Sequence, residues 1–116
     1  MTVSKRGDVV LVPFPFSDQT TTKKRPAVVI SSDAYNNISS DIVIMAITSQ
    51  REKAIVIGEC LIADWQGAGL LKPSAIKPAI STIEQILVLK KLGRLSPQDL
   101  ISMDIALKKF LDLKTK

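Results

Sequence analysis

A chain of 116 residues, 46% hydrophobic and 23% charged, has room for one modest core and is too apolar to stay disordered. Its net charge of +5 is spread along the length, not gathered in a tail, and favours polyanionic or acidic partners without specifying one. No apolar run approaches the roughly 20 residues of a membrane span, nothing behind Met1-Thr2-Val3-Ser4-Lys5-Arg6 reads as a signal peptide, and the lone Cys60 excludes an internal disulfide. The expectation is a single cytoplasmic domain over residues 1–116 with no membrane contact.

In chain order, the first strand is expected near 8–14, where Asp8-Val9-Val10-Leu11-Val12 leads to Pro13-Phe14, followed by a polar loop from Ser17 to Lys24. A second strand near 26–32 runs out of Lys23-Lys24-Arg25-Pro26 into Ala27-Val28-Val29-Ile30. Asp33-Ala34-Tyr35-Asn36-Asn37 reads as a turn, and a third strand near 41–48 ends in Ile47-Thr48-Ser49-Gln50. Further strands are expected near 54–62, 75–82 and 86–92, with Asp64-Trp65-Gln66-Gly67-Ala68-Gly69 as the turn between the first two. Short continuous runs of Val, Ile and Leu between turn residues suit core strands of a small barrel or sandwich. The connections are too short for helical crossovers, so the sheet should be largely antiparallel.

The period changes at the C-terminus. Ser96-Pro97-Gln98-Asp99 offers a cap, a first-turn proline and an acid three residues after the cap. Leu100, Met103, Leu107, Phe110 and Leu111 then recur at helical spacing, which predicts an amphipathic helix over 97–113. Ile101 and Ile105 widen its apolar face enough to leave room for a dimer contact.

The chemistry is bounded by absences. The chain has no histidine, which closes Ser-His-Asp, Cys-His and paired-histidine mechanisms. One cysteine and scattered acids offer no metal-binding pattern, and no glycine-rich phosphate loop is present. No cofactor or metal is expected. What remains is a site of Arg, Lys, Thr and Ser, which stabilises anions and donates hydrogen bonds. Arg25 sits where a following proline restricts its backbone, and its fork can hold a phosphate with two parallel bonds. The plain alternative, a surface arginine in a basic turn with Lys23 and Lys24, stands beside that reading. Thr48 is either a strand-end hydroxyl at the site or a residue satisfying local backbone.

Three ordered segments carry a resemblance: Arg6-Gly7-Asp8-Val9-Val10, then Lys24-Arg25-Pro26-Ala27-Val28-Val29-Ile30-Ser31, then Ile42-Val43-Ile44-Met45-Ala46-Ile47-Thr48-Ser49. Gly69-Leu70-Leu71-Lys72-Pro73-Ser74-Ala75-Ile76-Lys77 and Leu92-Gly93-Arg94-Leu95-Ser96 extend it over nearly the whole chain. The sequence thereby resembles the MazF/PemK toxins of bacterial toxin–antitoxin systems. That resemblance implies a mainly β, SH3-like small barrel with a C-terminal helix. It also implies a homodimeric, metal-independent endoribonuclease that cleaves single-stranded RNA at short sequences and is neutralised by a cognate antitoxin protein. The family's catalytic arginine and threonine correspond to Arg25 and Thr48. In its chemistry the substrate's own 2′-hydroxyl attacks the adjacent phosphorus and leaves a 2′,3′-cyclic phosphate.

Around these two residues, Lys23, Lys24, Ser49, Gln50 and Lys77 are the expected substrate-binding set. Phe14, Phe16, Tyr35 and Trp65 are the aromatics available to stack on bases. Trp65, beside the glycine turn, is expected to be exposed. Two departures stand out: Ala79 occupies a position where some members carry a carboxylate, and Ser17-Asp18 stands where many have Ser-Glu-Gln. The rival readings are a non-catalytic SH3-like module binding RNA or a peptide and, more weakly, a purely structural barrel.

Overall fold

The computed structural model describes residues 3–14, 23–49 and 56–114. Its strands are β1 (Asp8–Phe14), β2 (Lys23–Val29), β3 (Asp41–Ser49), β4 (Cys60–Leu61), β5 (Ser74–Glu84) and β6 (Lys90–Arg94). Two helices accompany them, the short α1 (Asp33–Ile38) and the C-terminal α2 (Pro97–Leu111). All six strands form one sheet in the order β4-β5-β3-β2-β1-β6, with antiparallel neighbours throughout. This is an SH3-like half-barrel with a C-terminal helix, as the resemblance implies.

The continuous apolar runs have a simple cause: the sheet is covered on both faces, so neither pleat side can be polar. Val9, Val28, Met45, Ile47 and Ile76 point into one core, which Met103 of α2 and Ile62, Ala68 and Leu70 of the β4–β5 connection complete. Val10, Val12, Ala27, Val29, Ile42 and Ile44 point into the other. Along β3 the side chains alternate, Ile42 and Ile44 toward one core and Met45 and Ile47 toward the other, and the pairing with β5 shifts register between Met45 and Ile47.

Helix α2 starts where its cap predicts: the Ser96 hydroxyl accepts from the Asp99 N–H at 3.0 Å, with Pro97 in the first turn. The Asp99 carboxylate, however, does not turn back to the cap. It is buried, at 2% exposure, and accepts from the N–H groups of Ala63 and Asp64 at 2.9 Å each. It thus pins the connection that leads to the site onto the start of α2. Losing it would leave two N–H donors unmet, at roughly 1–3 kcal/mol for each that stays buried.

The opening Arg6-Gly7-Asp8 proves to be a fastening. Arg6 pairs with Asp104 of α2 at 2.6 Å and donates through Nε to the Ile30 carbonyl at 2.8 Å. Gly7, at φ +91, lies beneath Leu100. Asp8 is nearly buried and receives Arg94 at 3.0 Å and Lys91 at 3.4 Å. Helix, first strand and last strand are held together at this corner.

Several expected elements differ. The expected turn at 33–37 is helix α1, capped by the Ser32 hydroxyl and anchored by buried Asn36, which donates to the Ser31 carbonyl at 3.1 Å. That polar knot also ends β2 at Val29, short of residue 32. Only Cys60–Leu61 of the expected 54–62 strand is a strand among the described residues, because Gly58 takes φ +95 in a turn wedged between Phe110 and Pro78. The last strand begins at Lys90, not near 86. Gln85 interrupts it, donating to the carbonyls of Asn36 and Ser39 and accepting from the Ser4 N–H, which forces a single 3-10 turn.

Candidate functional site

Two strand ends make the site. The final registered pair of β2 and β3 is Ala27 with Ala46. Arg25 on β2 and Thr48 on β3 each lie two residues beyond that pair, at the same end of the two neighbouring strands. On its other side Arg25 is held against Val12 of β1. The first three residues of β2 are exposed while its last three are buried, so the strand delivers a cation to the rim of a dry sheet.

At this corner opens a cleft of about 540 Å³. Leu11, Pro26, Ile47, Leu70 and Leu92 supply its apolar surface, and Arg25, Thr48, Ser49, Lys72 and Ser74 its polar groups. The described lining therefore holds two cations and three hydroxyls and no carboxylate. Such a site attracts an anion, offers donors to its oxygens and excludes water from one side. No group of three or more His, Cys, Asp or Glu residues is arranged to hold a metal among the described residues.

The expected residues divide. Arg25, Thr48 and Ser49 come together in the cleft. Lys23 and Lys24 are exposed on β2, paired with Phe14 and Pro13, and do not line it. Lys77 lies outside it on β5, its ammonium 3.1 Å from Glu59. Gln50 falls outside the described residues, as do Phe16 and the Ser17–Asp18 loop. Trp65, expected to be exposed, is half-buried and packs on the first core. Tyr35 sits on α1, away from the cleft. Cys60 takes no part either: burial, then the nearby Asp99 charge, push its thiol up from the ordinary value, so it stays protonated and unreactive at neutral pH.

Two polar cleft residues, Lys72 and Ser74, were not among the expected set. Lys72 lines the wall formed by the segment that leads into β5. The available signal was its place before Pro73, matching Arg25 before Pro26. That wall is positioned by backbone contact. Gly69, at φ +82, lies so close to the Leu92 carbonyl that a Cβ there would sit 2.0 Å from its oxygen.

A family model described as the PemK-like, MazF-like toxin of type II toxin–antitoxin systems matches residues 5–111. No curated protein matches the sequence. Among solved structures, an endoribonuclease from a mycobacterial species, in complex with its cognate antitoxin, superposes with a TM-score of 0.78 at 18% identity, covering 97% of this chain and 99% of that one. MazF from Deinococcus radiodurans gives 0.75 at 18%, covering 97% and 100%. The Mycobacterium tuberculosis toxin MazF-mt6 gives 0.76 at 16%, covering 93% and 99%. At these identities the likeness establishes the fold.

Proposed function

We propose an activity for this chain from one premise: it belongs to the PemK-like, MazF-like toxin family of type II toxin–antitoxin systems. It is an endoribonuclease that cuts single-stranded RNA in the cleft bounded by Arg25 and Thr48. The observation that carries this reading is their convergence, from separate strands, on one cleft with no acidic lining among the described residues. The similar structures of endoribonucleases support it.

In the reaction the 2′-hydroxyl oxygen of the substrate bonds to the adjacent phosphorus, and the bond to the 5′-oxygen of the next nucleotide breaks. The products are a 2′,3′-cyclic phosphate and a 5′-hydroxyl; the proton lost from the 2′-oxygen and the one gained by the leaving oxygen exchange with water. Negative charge grows on the non-bridging oxygens as phosphorus becomes five-coordinate. Arg25 meets it with a two-pronged guanidinium, and the Thr48 hydroxyl donates a further bond. The nucleophile is part of the substrate, so the protein's work is alignment and charge stabilisation. Neither task needs a metal or cofactor.

The same cationic cleft accepts an acidic segment of a cognate antitoxin, which shuts the enzyme off by occupying the RNA path. The complex of a mycobacterial endoribonuclease with its antitoxin supports this partner. The protein works as a homodimer in the cytoplasm, where its RNA is. Ile101, Ile105 and Leu111 leave an exposed apolar strip on α2 that a second subunit would cover, and no helix of the described residues is long and apolar enough to cross a membrane.

One observation favours a second reading. Ala79 leaves β5 without the carboxylate that some members carry, which suits a module that binds RNA without cutting it. Inducible expression in a bacterial host separates the two. A nuclease arrests growth within a generation and fragments messenger RNA, and co-expression of its antitoxin restores growth. A binding module leaves transcripts whole, and intact transcripts in arrested or growing cells would overturn the proposed activity.

A further inference from the structure

The cleft has two cationic walls of matching construction. On β2, Arg25 precedes Pro26; on the wall leading into β5, Lys72 precedes Pro73. A proline drives the residue before it into extended backbone, so each cation is set on a restricted main chain. Lys72 is held further. The hydroxyl of Ser74, a residue only 6% exposed, donates to the Lys72 carbonyl at 2.8 Å. Three residues upstream, Gly69 is backed against the Leu92 carbonyl.

Lys77 is engaged by Glu59 and Lys91 by Asp8, while Lys23, Lys24 and Lys90 have no ion pair among the described residues but do not line the cleft. Lys72 has no carboxylate partner among the described residues, although it lines the cleft. A restrained backbone, an exposed side chain and no carboxylate partner among the described residues describe a cation kept for a ligand. Its chemistry also differs from that of Arg25. A guanidinium fork fits one phosphate in one geometry, whereas an ammonium is a compact charge that tolerates several.

We infer that Lys72 is a second phosphate-holding cation of this cleft, seating the RNA backbone beside the phosphate on which Arg25 and Thr48 act. The inference rests on the reading of the cleft as an RNA-cleaving site. Lys72 is a positioning residue: it touches a phosphate whose charge does not change in the reaction. It therefore stabilises ground state and transition state alike and acts on KM, leaving kcat unchanged.

The test compares wild-type protein with Lys72→Ala and Lys72→Arg in two assays. One is steady-state cleavage of a transcript that the wild type cuts. The other is binding of a mixed-sequence 12-nucleotide RNA fully 2′-O-methylated, which cannot be cut. Lys72→Ala should raise KM and the dissociation constant about tenfold with kcat unchanged, and should lower the slope of log affinity against log salt by about 0.7, the loss of one phosphate contact on a single strand. Lys72→Arg should restore most of the affinity and the full slope. Thermal melting should be unchanged in both variants, since the Lys72 side chain is exposed. A wild-type KM and salt slope in Lys72→Ala, in a protein that cleaves RNA, would overturn this inference alone. A wild type that binds but does not cut, with the slope still falling in Lys72→Ala, would overturn the proposed activity and leave the second cation standing. A wild type that neither cuts nor binds RNA would remove both.

Discussion

Arg25→Ala should slow RNA cleavage roughly a hundred- to thousandfold, the usual consequence of removing one preorganised donor of about 2.7–4 kcal/mol from an oxyanion-type site. The fold should survive, because Arg25 is exposed at the outer end of β2 while the residues that bury the strand are Ala27, Val28 and Val29. Arg25→Lys should recover little, since an ammonium cannot reproduce two parallel bonds to one phosphate. Thr48→Ala should be the milder lesion and Thr48→Ser milder still, because serine keeps the donor. Single-turnover cleavage beside thermal melting separates chemistry from stability. Cleavage at the wild-type rate by both alanine variants would remove Arg25 and Thr48 from the mechanism.

Gly69→Ala should be the most damaging small substitution in the described structure. Two costs coincide there: a φ of +82 that L-residues rarely adopt, and a Cβ placed 2.0 Å from the Leu92 oxygen and 3.1 Å from the Gly93 nitrogen. Both neighbouring atoms are backbone, so the strand itself must move. The expected loss is about 3–5 kcal/mol, enough to lower the melting temperature by roughly 10 °C or more. Because Gly69 also lines the cleft, the displaced wall should weaken RNA binding in whatever fraction remains folded. Gly67→Ala is the matched control. The three atoms nearest its new Cβ all belong to the side chain of Asp64, which can rotate away after giving up its bond to the Gly67 N–H. That should cost about 1 kcal/mol. Equal melting temperatures for the two variants would contradict the close packing of Gly69 on β6.

The strands of the sheet were legible where local pattern and tertiary demand agree. β1 is a run of Val and Leu and β3 a run of Ile, Val and Met between polar breaks, and a sheet covered on both faces calls for such runs. The start of α2 was legible because Ser96 and Pro97 act within one helical turn. Helix α1 was not, since six residues are too few to show a period and its anchor is the contact of Asn36 with Ser31. Gln85 is likewise a residue whose effect comes from groups more than 40 positions away. The Arg6-Gly7-Asp8 segment marked the resemblance, yet its work is to fasten β1, β6 and α2, which only the fold reveals. Arg25 and Thr48 could be named from the resemblance. Their meeting in one cleft depends on the neighbouring places of β2 and β3 in the sheet, and the arrival of Lys72 there on where the β4–β5 connection lies. The ion pair of Lys77 with Glu59 is likewise something that no spacing in the chain would disclose.

The central claim is that a cleft of cations and hydroxyls cuts RNA by using the substrate's own 2′-oxygen. The most direct measurement is cleavage of a single-stranded transcript by purified protein in excess EDTA, with the new 3′ ends identified by mass spectrometry and a DNA of the same sequence alongside. The account predicts cleavage undiminished by the chelator, 2′,3′-cyclic phosphate at every new end, 5′-hydroxyl on the other fragment and untouched DNA. Cleavage lost in EDTA and restored by Mg²⁺, or fragments carrying a 3′-hydroxyl and a 5′-phosphate, would contradict it.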